Sequence, residues 1–335
     1  AGLVLNNPTE QFLASGFFVF APPMLWRLNQ HAALAGHFLI LAALYLSLKK
    51  SSEPQIKHVM QWLLLLAAAI SINFYIFIMV SALWFGSLLD LRFILKKMGS
   101  QVFLWEILGA PLIILLVSWQ LGYFAIHSSS STAFGFGHDG QKFNPIYFFT
   151  PEGWSYIWNP QFPIYSHDSF AWLGWGLISI LLIGICKGFR KIDFISIGKK
   201  RFYFLICILA ISVFSMSNNL SIGFFNFHIP LSSDAEKIGN LLRSSARLIW
   251  PLYYLIMLFA IYAIGQSFQH RTRLALLTCF VLFQVIDLSS GWLPIRKSLM
   301  DGPSREYKSK QTSNFSRTTN PALTDPFWEL AAKKY

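Results

Sequence analysis

Apolar runs recur along nearly the whole chain, each as long as a membrane-crossing helix or close to it, and this feature constrains the fold more than any other. A spanning helix needs about 20 predominantly apolar residues. A soluble core has no room for so many runs when 54% of the 335 residues are hydrophobic and only 13% are charged. The chain therefore reads as an all-α integral membrane protein.

The charge supports this by its location. A net charge of +12 would suggest a nucleic-acid partner in a soluble protein, but no basic face interleaved with exposed aromatics accompanies it. No nucleic-acid partner is expected. The basic residues instead fill short breaks between apolar runs: Lys49, Lys50 and Lys57; Arg92, Lys96 and Lys97; Lys187, Arg190, Lys191, Lys199, Lys200 and Arg201; Arg271 and Arg273. Short loops rich in Lys and Arg remain cytoplasmic, so the four clusters orient the chain. Cys186, Cys207 and Cys279 all lie in apolar runs and read as small helix residues.

Setting clusters against runs predicts a polytopic bundle of about nine transmembrane helices, near residues 3–20, 32–48, two within 60–95 that turn at Asn73, 103–125, 169–187, 202–217, 248–266 and 273–289. Residues 1–289 form the transmembrane domain. The loops at 21–31, 126–168 and 218–247 are then extracytoplasmic, and 290–335 begins an extracytoplasmic C-terminal domain in which Asp325 and Pro326 open a helix. The first residue is Ala and the last segment is a helix just begun, so both ends are expected to continue in a longer protein.

Candidate chemistry is confined to the outer loops. WRLNQHAALAGH (26–37) places Arg27, Asn29, Gln30, His31 and His37 immediately before FLILAALYL. Arg27 and His31, four apart, share one face if the segment is helical and suit a phosphate, while Trp26 beside them suits an interfacial anchor. His31 and His37, six apart, do not align on a helix, and no metal site is expected. The glycines of AFGFGHDG (133–140) read as a turn. Asp139, Glu152 and Asp168 are the carboxylates of the long loop. A transferase activating an acceptor hydroxyl needs such a base or a metal-bound oxygen site, which makes a divalent cation a candidate cofactor. Asp168 is the best placed of the three as a catalytic group, it also suits the N-cap of the next helix, and both roles can coexist.

In RSSARLIWPLYY, Arg243 and Arg247 are four apart before a membrane helix, where two guanidiniums on one face suit a lipid diphosphate. The bland alternative is headgroup anchoring, with Trp250, Tyr253 and Tyr254 as belt aromatics. Glu106, Asp90 and Asp287 lie within or at the ends of apolar runs and suit either function or ion pairing. GxxxxGK[ST], GxSxG, HExxH and CxxC are all absent, which removes the usual support for ATPase, serine hydrolase and zinc protease readings.

PPMLWRLNQHAALAGHFLILAALYL (22–46), INFYIFIMV (72–80), DSFAWLGWG (168–176), FSMSNNLSIG (214–223) and LRSSARLIWPLYY (242–254) occur in order. Together they resemble an uncharacterised family of bacterial polytopic membrane proteins related to type C (GT-C) glycosyltransferases. The likeness covers most of residues 10–290. It departs from the family pattern at Asp168, where Glu is usual, at Asn73 and Phe74, where His-Pro is expected, and at Trp172, where Tyr is expected.

The resemblance implies a glycosyltransferase of the bacterial inner membrane that takes a sugar from a polyprenyl-phosphate carrier at the extracytoplasmic face, in envelope glycan assembly. Its partners would be the lipid-linked sugar donor and membrane lipids. Motif positions carried over are Arg27, Gln30, His31, His37, Arg243 and Arg247 for substrate, with Asp168 on the acceptor side. The family's usual catalytic acid would lie upstream of Ala1. A glycolipid transporter or flippase, which would need charges inside helices, and a polymerase of lipid-linked oligosaccharides are the alternative expectations.

Overall fold

A computed structural model of the chain describes residues 1–49, 56–125, 135–138, 141–160, 167–188 and 191–301, leaving aside the side chains of Asn29, Gln30, His167 and Asp301. Lys50, Asp139, Arg190 and the expected helix start at Asp325 lie outside the described residues. Two compact units result, Ala1–Trp292 and Leu293–Tyr335.

Thirteen α-helices occur among the described residues. They are α1 (Pro8–Val19), α2 (Pro22–Gln30), α3 (Phe38–Leu48), α4 (Ile56–Ile72), α5 (Phe74–Leu89), α6 (Ser100–Gln120), α7 (Trp175–Gly188), α8 (Phe194–Lys200), α9 (Phe202–Ser215), α10 (Ser233–Leu241), α11 (Trp250–Ser267), α12 (His270–Asp287) and α13 (Ser289–Asp301). Each segment expected to span contains a helix. Three stretches, Phe74–Ile94, Ser100–Gln120 and Ser245–Ser267, are long and apolar enough to cross a bilayer.

Local chemistry sets the boundaries. The first helix starts at Pro8 and not near residue 3, because the Asn7 side chain accepts from Thr9 N at 2.9 Å and Glu10 N at 3.3 Å while Pro8 occupies the first position. The break expected near Asn73 is present: its backbone is extended and its side chain accepts from Tyr75 N at 2.9 Å, ending α4 and starting α5. The helix expected from 169 begins only at Trp175, after Gly174 takes φ +84.

One departure from all-α structure lies within the 218–247 loop. Strands β1 (Asn219–Ile222) and β2 (Phe225–His228) pair antiparallel, with Ile222 opposite Phe225. The two-residue turn between them has Gly223 at its first position with φ +60, which is what a tight hairpin turn of this length requires. Hydrophobic periodicity could not flag it, because both strands together are only eight residues.

The helices pack as close-approaching neighbours. Gly86 on α5 leaves room for the α9 backbone, so that an added Cβ would lie 2.7 Å from Phe204 Cα. Gly184 on α7 likewise admits α11 at Ala263. Small residues at helix crossings are the usual means of association where lipid removes any hydrophobic drive between helices.

Polar ties hold one end together. Asp90 accepts from Tyr203 N at 2.9 Å and Phe204 N at 3.2 Å at the start of α9, and Arg201 donates to Ser47 O at 2.7 Å at the end of α3. Glu10, fully buried, meets His270 Nδ1 at 2.7 Å and Arg273 at 2.8 Å. These contacts lie at the end of the bundle that carries the described basic residues, while the segments 135–138, 141–160, 167–174 and 216–249 gather at the other.

Helix α6 shows which solvent the bundle fits. It packs on α4, yet Leu104, Leu108, Leu112, Leu115 and Trp119, spaced along one face, are each more than half exposed. A soluble helix turns its apolar stripe inward, whereas this one presents it outward, as a lipid-facing helix does. Cys186 and Cys279 are also exposed, so they too lie on outward faces and not in the core.

Candidate functional site

Three sequence-distant segments converge at the loop-rich end. Arg27 extends from α2, Asp168 from a one-turn 3₁₀ helix (His167–Ser169), and Arg247 from a second 3₁₀ helix (Ser245–Ile249) that leads into α11. Arg27 Nη2 donates to Asp168 Oδ1 at 2.9 Å. Arg247 Nη2 donates to Oδ1 at 2.9 Å and to Oδ2 at 3.0 Å, with Nε 3.3 Å from Oδ1.

Two guanidiniums around one carboxylate leave one net positive charge. The side chain of Arg27 is 3% exposed, and those of Asp168 and Arg247 are each 14% exposed, so the cluster is shielded and only Asp168 and Arg247 keep some exposure. Burial alone would raise the Asp168 carboxyl, but the charges and hydrogen bonds of Arg247 and Arg27 outweigh it and hold it below the ordinary carboxylate range.

Aromatic rings support both arginines. The Arg247 guanidinium lies over the Tyr75 ring at 4.9 Å, and the Tyr75 hydroxyl accepts from Ser244 N at 3.1 Å. Arg27 lies over Trp250 at 5.8 Å. Trp250 in turn stacks on His37 with centroids 4.0 Å apart, and His37 Nδ1 pairs with the Tyr254 hydroxyl at 2.7 Å. His37 Nε2 and Trp250 Nε1 are buried without a hydrogen-bond partner among the described residues. Beside them, Trp26, Trp154 and Phe170 form an aromatic cluster with centroids 5.4–6.4 Å apart.

The expected site is thus partly assembled and partly not. Arg27, Asp168 and Arg247 meet, and His37 adjoins them through Trp250. His31 does not share a face with Arg27, because α2 ends at Gln30 and His31 turns outward, exposed. The Gln30 side chain lies outside the described residues. Arg243 does not share a helix face with Arg247 either: it falls between α10 and the 3₁₀ turn, half-buried, and makes no hydrogen bond or ion pair among the described residues.

Asp168 serves as an ion-pair partner and not as a helix cap, since α7 starts seven residues later. Trp250, Tyr253 and Tyr254, belt aromatics under the headgroup-anchoring alternative, are instead fully buried. Sequence reading missed Tyr75 and the structural part played by Trp250 and Tyr254. The spacing 247, 250, 254 along a helical path was the available signal for the last two.

The remaining carboxylates have separate surroundings. Glu152, half-buried in the loop before Trp154, sits at φ +45, and burial pushes its carboxyl up to about 7. Asp287 accepts from the Ser155 hydroxyl at 2.9 Å and Tyr156 N at 3.0 Å, tying the long loop to the end of α12. Glu106 accepts from Trp84 Nε1 at 2.9 Å between α5 and α6. The turn at Gly137, φ +88, presses on Asn218 so closely that a Cβ would lie 2.3 Å from its Oδ1. No group of three metal-ligating side chains occurs among the described residues.

Residues 1–289 match the family described as a domain of unknown function, DUF6311. No curated protein and no solved structure matches the chain.

Proposed function

The chain belongs to the DUF6311 family, and from that premise we propose that it is a polytopic membrane protein that holds the phosphate of a lipid-linked sugar at its loop-rich end and acts there as a glycosyltransferase. The convergence of Arg27 and Arg247 on Asp168 carries the proposal. Two guanidiniums with one net positive charge, partly shielded from water at the end of an apolar bundle, are suited to a phosphate or diphosphate. Among the described residues Arg247 Nη1 makes no hydrogen bond, and Trp250, whose ring Arg27 overlies, has an unpaired buried Nε1–H. These two N–H groups are donors that a polar guest would satisfy.

In glycosyl transfer the acceptor oxygen bonds to the anomeric carbon as the bond from that carbon to the phosphate oxygen breaks. The phosphate leaves with the electron pair, and the arginines would stabilise its charge. Asp168, held ionised by both arginines, is a weak base and acts here by positioning them. Glu152, two residues before Trp154, which packs on Trp26 next to Arg27, is the carboxylate proposed to accept the acceptor's proton. The nine-span topology, with basic clusters inside the cell and the long loops outside, belongs to the same proposal and draws on the segregation of basic residues to one end.

Purified chain in nanodiscs, titrated with undecaprenyl phosphate, tests the phosphate role. Arg247→Ala should weaken binding at least about tenfold and Arg243→Ala should leave it unchanged. Equal binding by wild type, Arg27→Ala and Arg247→Ala would overturn it. Release of labelled sugar from a polyprenyl-phosphate donor reads transfer directly. Movement of an intact fluorescent glycolipid across a proteoliposome, without release, would replace transfer with transport.

A further inference from the structure

The opposite end of the bundle carries a second amphiphile-shaped feature. A groove of about 320 Å³ runs between the start of the chain, the end of α3, the α8–α9 corner and α11. Leu255, Phe259 and Tyr262 line one wall at helical spacing, Ile197 lines another, and Lys200 and Arg201 stand in the lining itself. An apolar trough with cations in its lining matches a molecule with an apolar tail and an anionic head.

Helix α8 adds an independent reason. It is only seven residues long, yet Phe194, Ile195 and Ile197 are exposed, Ile195 at 71%, while Lys199 and Lys200 are also exposed. In water this would be a costly surface, whereas at a membrane interface apolar side chains enter the acyl region and lysines meet phosphates. Phe194 packs on Phe259 with centroids 5.9 Å apart, so the same helix is joined to the groove wall.

Lys200 is the available cation, and Arg201 adds positive charge beside it. Lys200 has no carboxylate partner among the described residues. Arg201 is fixed by neutral carbonyls, Ser47 O at 2.7 Å and Leu48 O at 3.4 Å, and so keeps its charge. Neither neighbouring carboxylate hydrogen-bonds to Lys200 or Arg201 among the described residues, although Asp90 attracts Arg201 through space. Asp193 caps α8 through Ser196 N, and Asp90 accepts from the Tyr203 and Phe204 amides.

We propose that this groove binds an anionic phospholipid, with its phosphate at Lys200 and Arg201 and an acyl chain along Leu255, Phe259 and Tyr262 of α11. A basic recess between membrane helices is the recurrent form of such sites. The site is separate from the Arg27–Asp168–Arg247 cluster, so either proposal stands or falls without the other.

The test uses the purified full chain in detergent, with lipid adducts counted by native mass spectrometry and thermal stability followed in parallel. Phosphatidylglycerol should be retained and should raise the melting temperature, while phosphatidylcholine and inorganic phosphate should not. Lys200→Glu should lower phosphatidylglycerol retention at least about tenfold, and Leu255→Trp, which fills the groove without altering charge, should lower it as well. Equal effects of phosphatidylglycerol and phosphatidylcholine would overturn the proposal, as would protection by inorganic phosphate alone. So would wild-type retention in both Lys200→Glu and Leu255→Trp. Should Lys200→Glu fail to fold, Lys200→Gln and Leu255→Trp give the same reading.

Discussion

Arg247 grips Asp168 across 79 residues of sequence, its Nη2 lying 2.9 Å from Oδ1 and 3.0 Å from Oδ2, while Arg27 takes the same Oδ1 at 2.9 Å. This contact joins the long loop to the start of α11 and to α2.

Removing the shared carboxylate should therefore loosen three segments at once. Asp168→Asn leaves two guanidiniums facing each other, and loss of one partner in a buried pair costs roughly 3–5 kcal/mol. With 14% exposure the lower end of that range is expected. Chemical unfolding in detergent measures it, and a loss below about 1 kcal/mol would show that the cluster contributes little to the fold.

The same carboxylate gives a pH signature. Its folded value lies below the ordinary 3.8, so its stabilisation is fully present above that pH and is lost as pH falls through the lowered folded value. Wild type should lose stability on acidification below about 4 by more than Asp168→Asn does. Parallel acid unfolding curves would refute this.

Glu152 should behave in the opposite sense. Burial raises its folded value from 4.5 to about 7, so the favourable protonated state is complete below 4.5 and its benefit is lost as pH rises through 7. Glu152→Gln should raise the melting temperature at pH 8 relative to wild type and have little effect at pH 4.5. A wild type equally stable at both pH values relative to this variant would rule out the buried carboxyl.

Tyr254→Phe removes the partner of His37 Nδ1 in a buried site where Nε2 is already unpaired. A cost of about 1–3 kcal/mol is expected. Tyr45→Phe, at a half-exposed tyrosine whose hydroxyl makes no hydrogen bond among the described residues, should stay within about 0.5 kcal/mol. Equal effects of the two changes in thermal unfolding would contradict the assigned bond.

Gly86→Ala tests the α5–α9 crossing. The new methyl meets Phe204 backbone at 2.7 Å, and overpacking of this kind costs about 1–3 kcal/mol. Gly198→Ala, with nothing within 4 Å of the added carbon, should be neutral or slightly stabilising, since Ala is the better helix former. Reversal of that order in unfolding midpoints would show that the two helices do not meet here.

Several elements were legible because their causes are local. The apolar runs from Phe38, Phe74, Phe202 and Trp250 read as helices by length and composition, and Asn73 ended one helix and opened the next because its own side chain supplies the cap. The hairpin at Asn219–His228 was not legible. Its strands are too short for a period, and its one signal, Gly223, is a single residue.

The candidate site shows the same division. Sequence by itself placed Arg27, Asp168 and Arg247 in loops beside apolar helices, since charge, spacing and hydropathy are properties of neighbouring residues. It paired Arg27 with His31 and Arg243 with Arg247 by assuming unbroken helices. Only the tertiary structure decided otherwise, by ending α2 at Gln30 and starting the 3₁₀ turn after Arg243, and so bringing Arg27 and Arg247 to one carboxylate. An ion pair depends on distances of about 3 Å between chain positions far apart, and those distances exist only once the helices have packed.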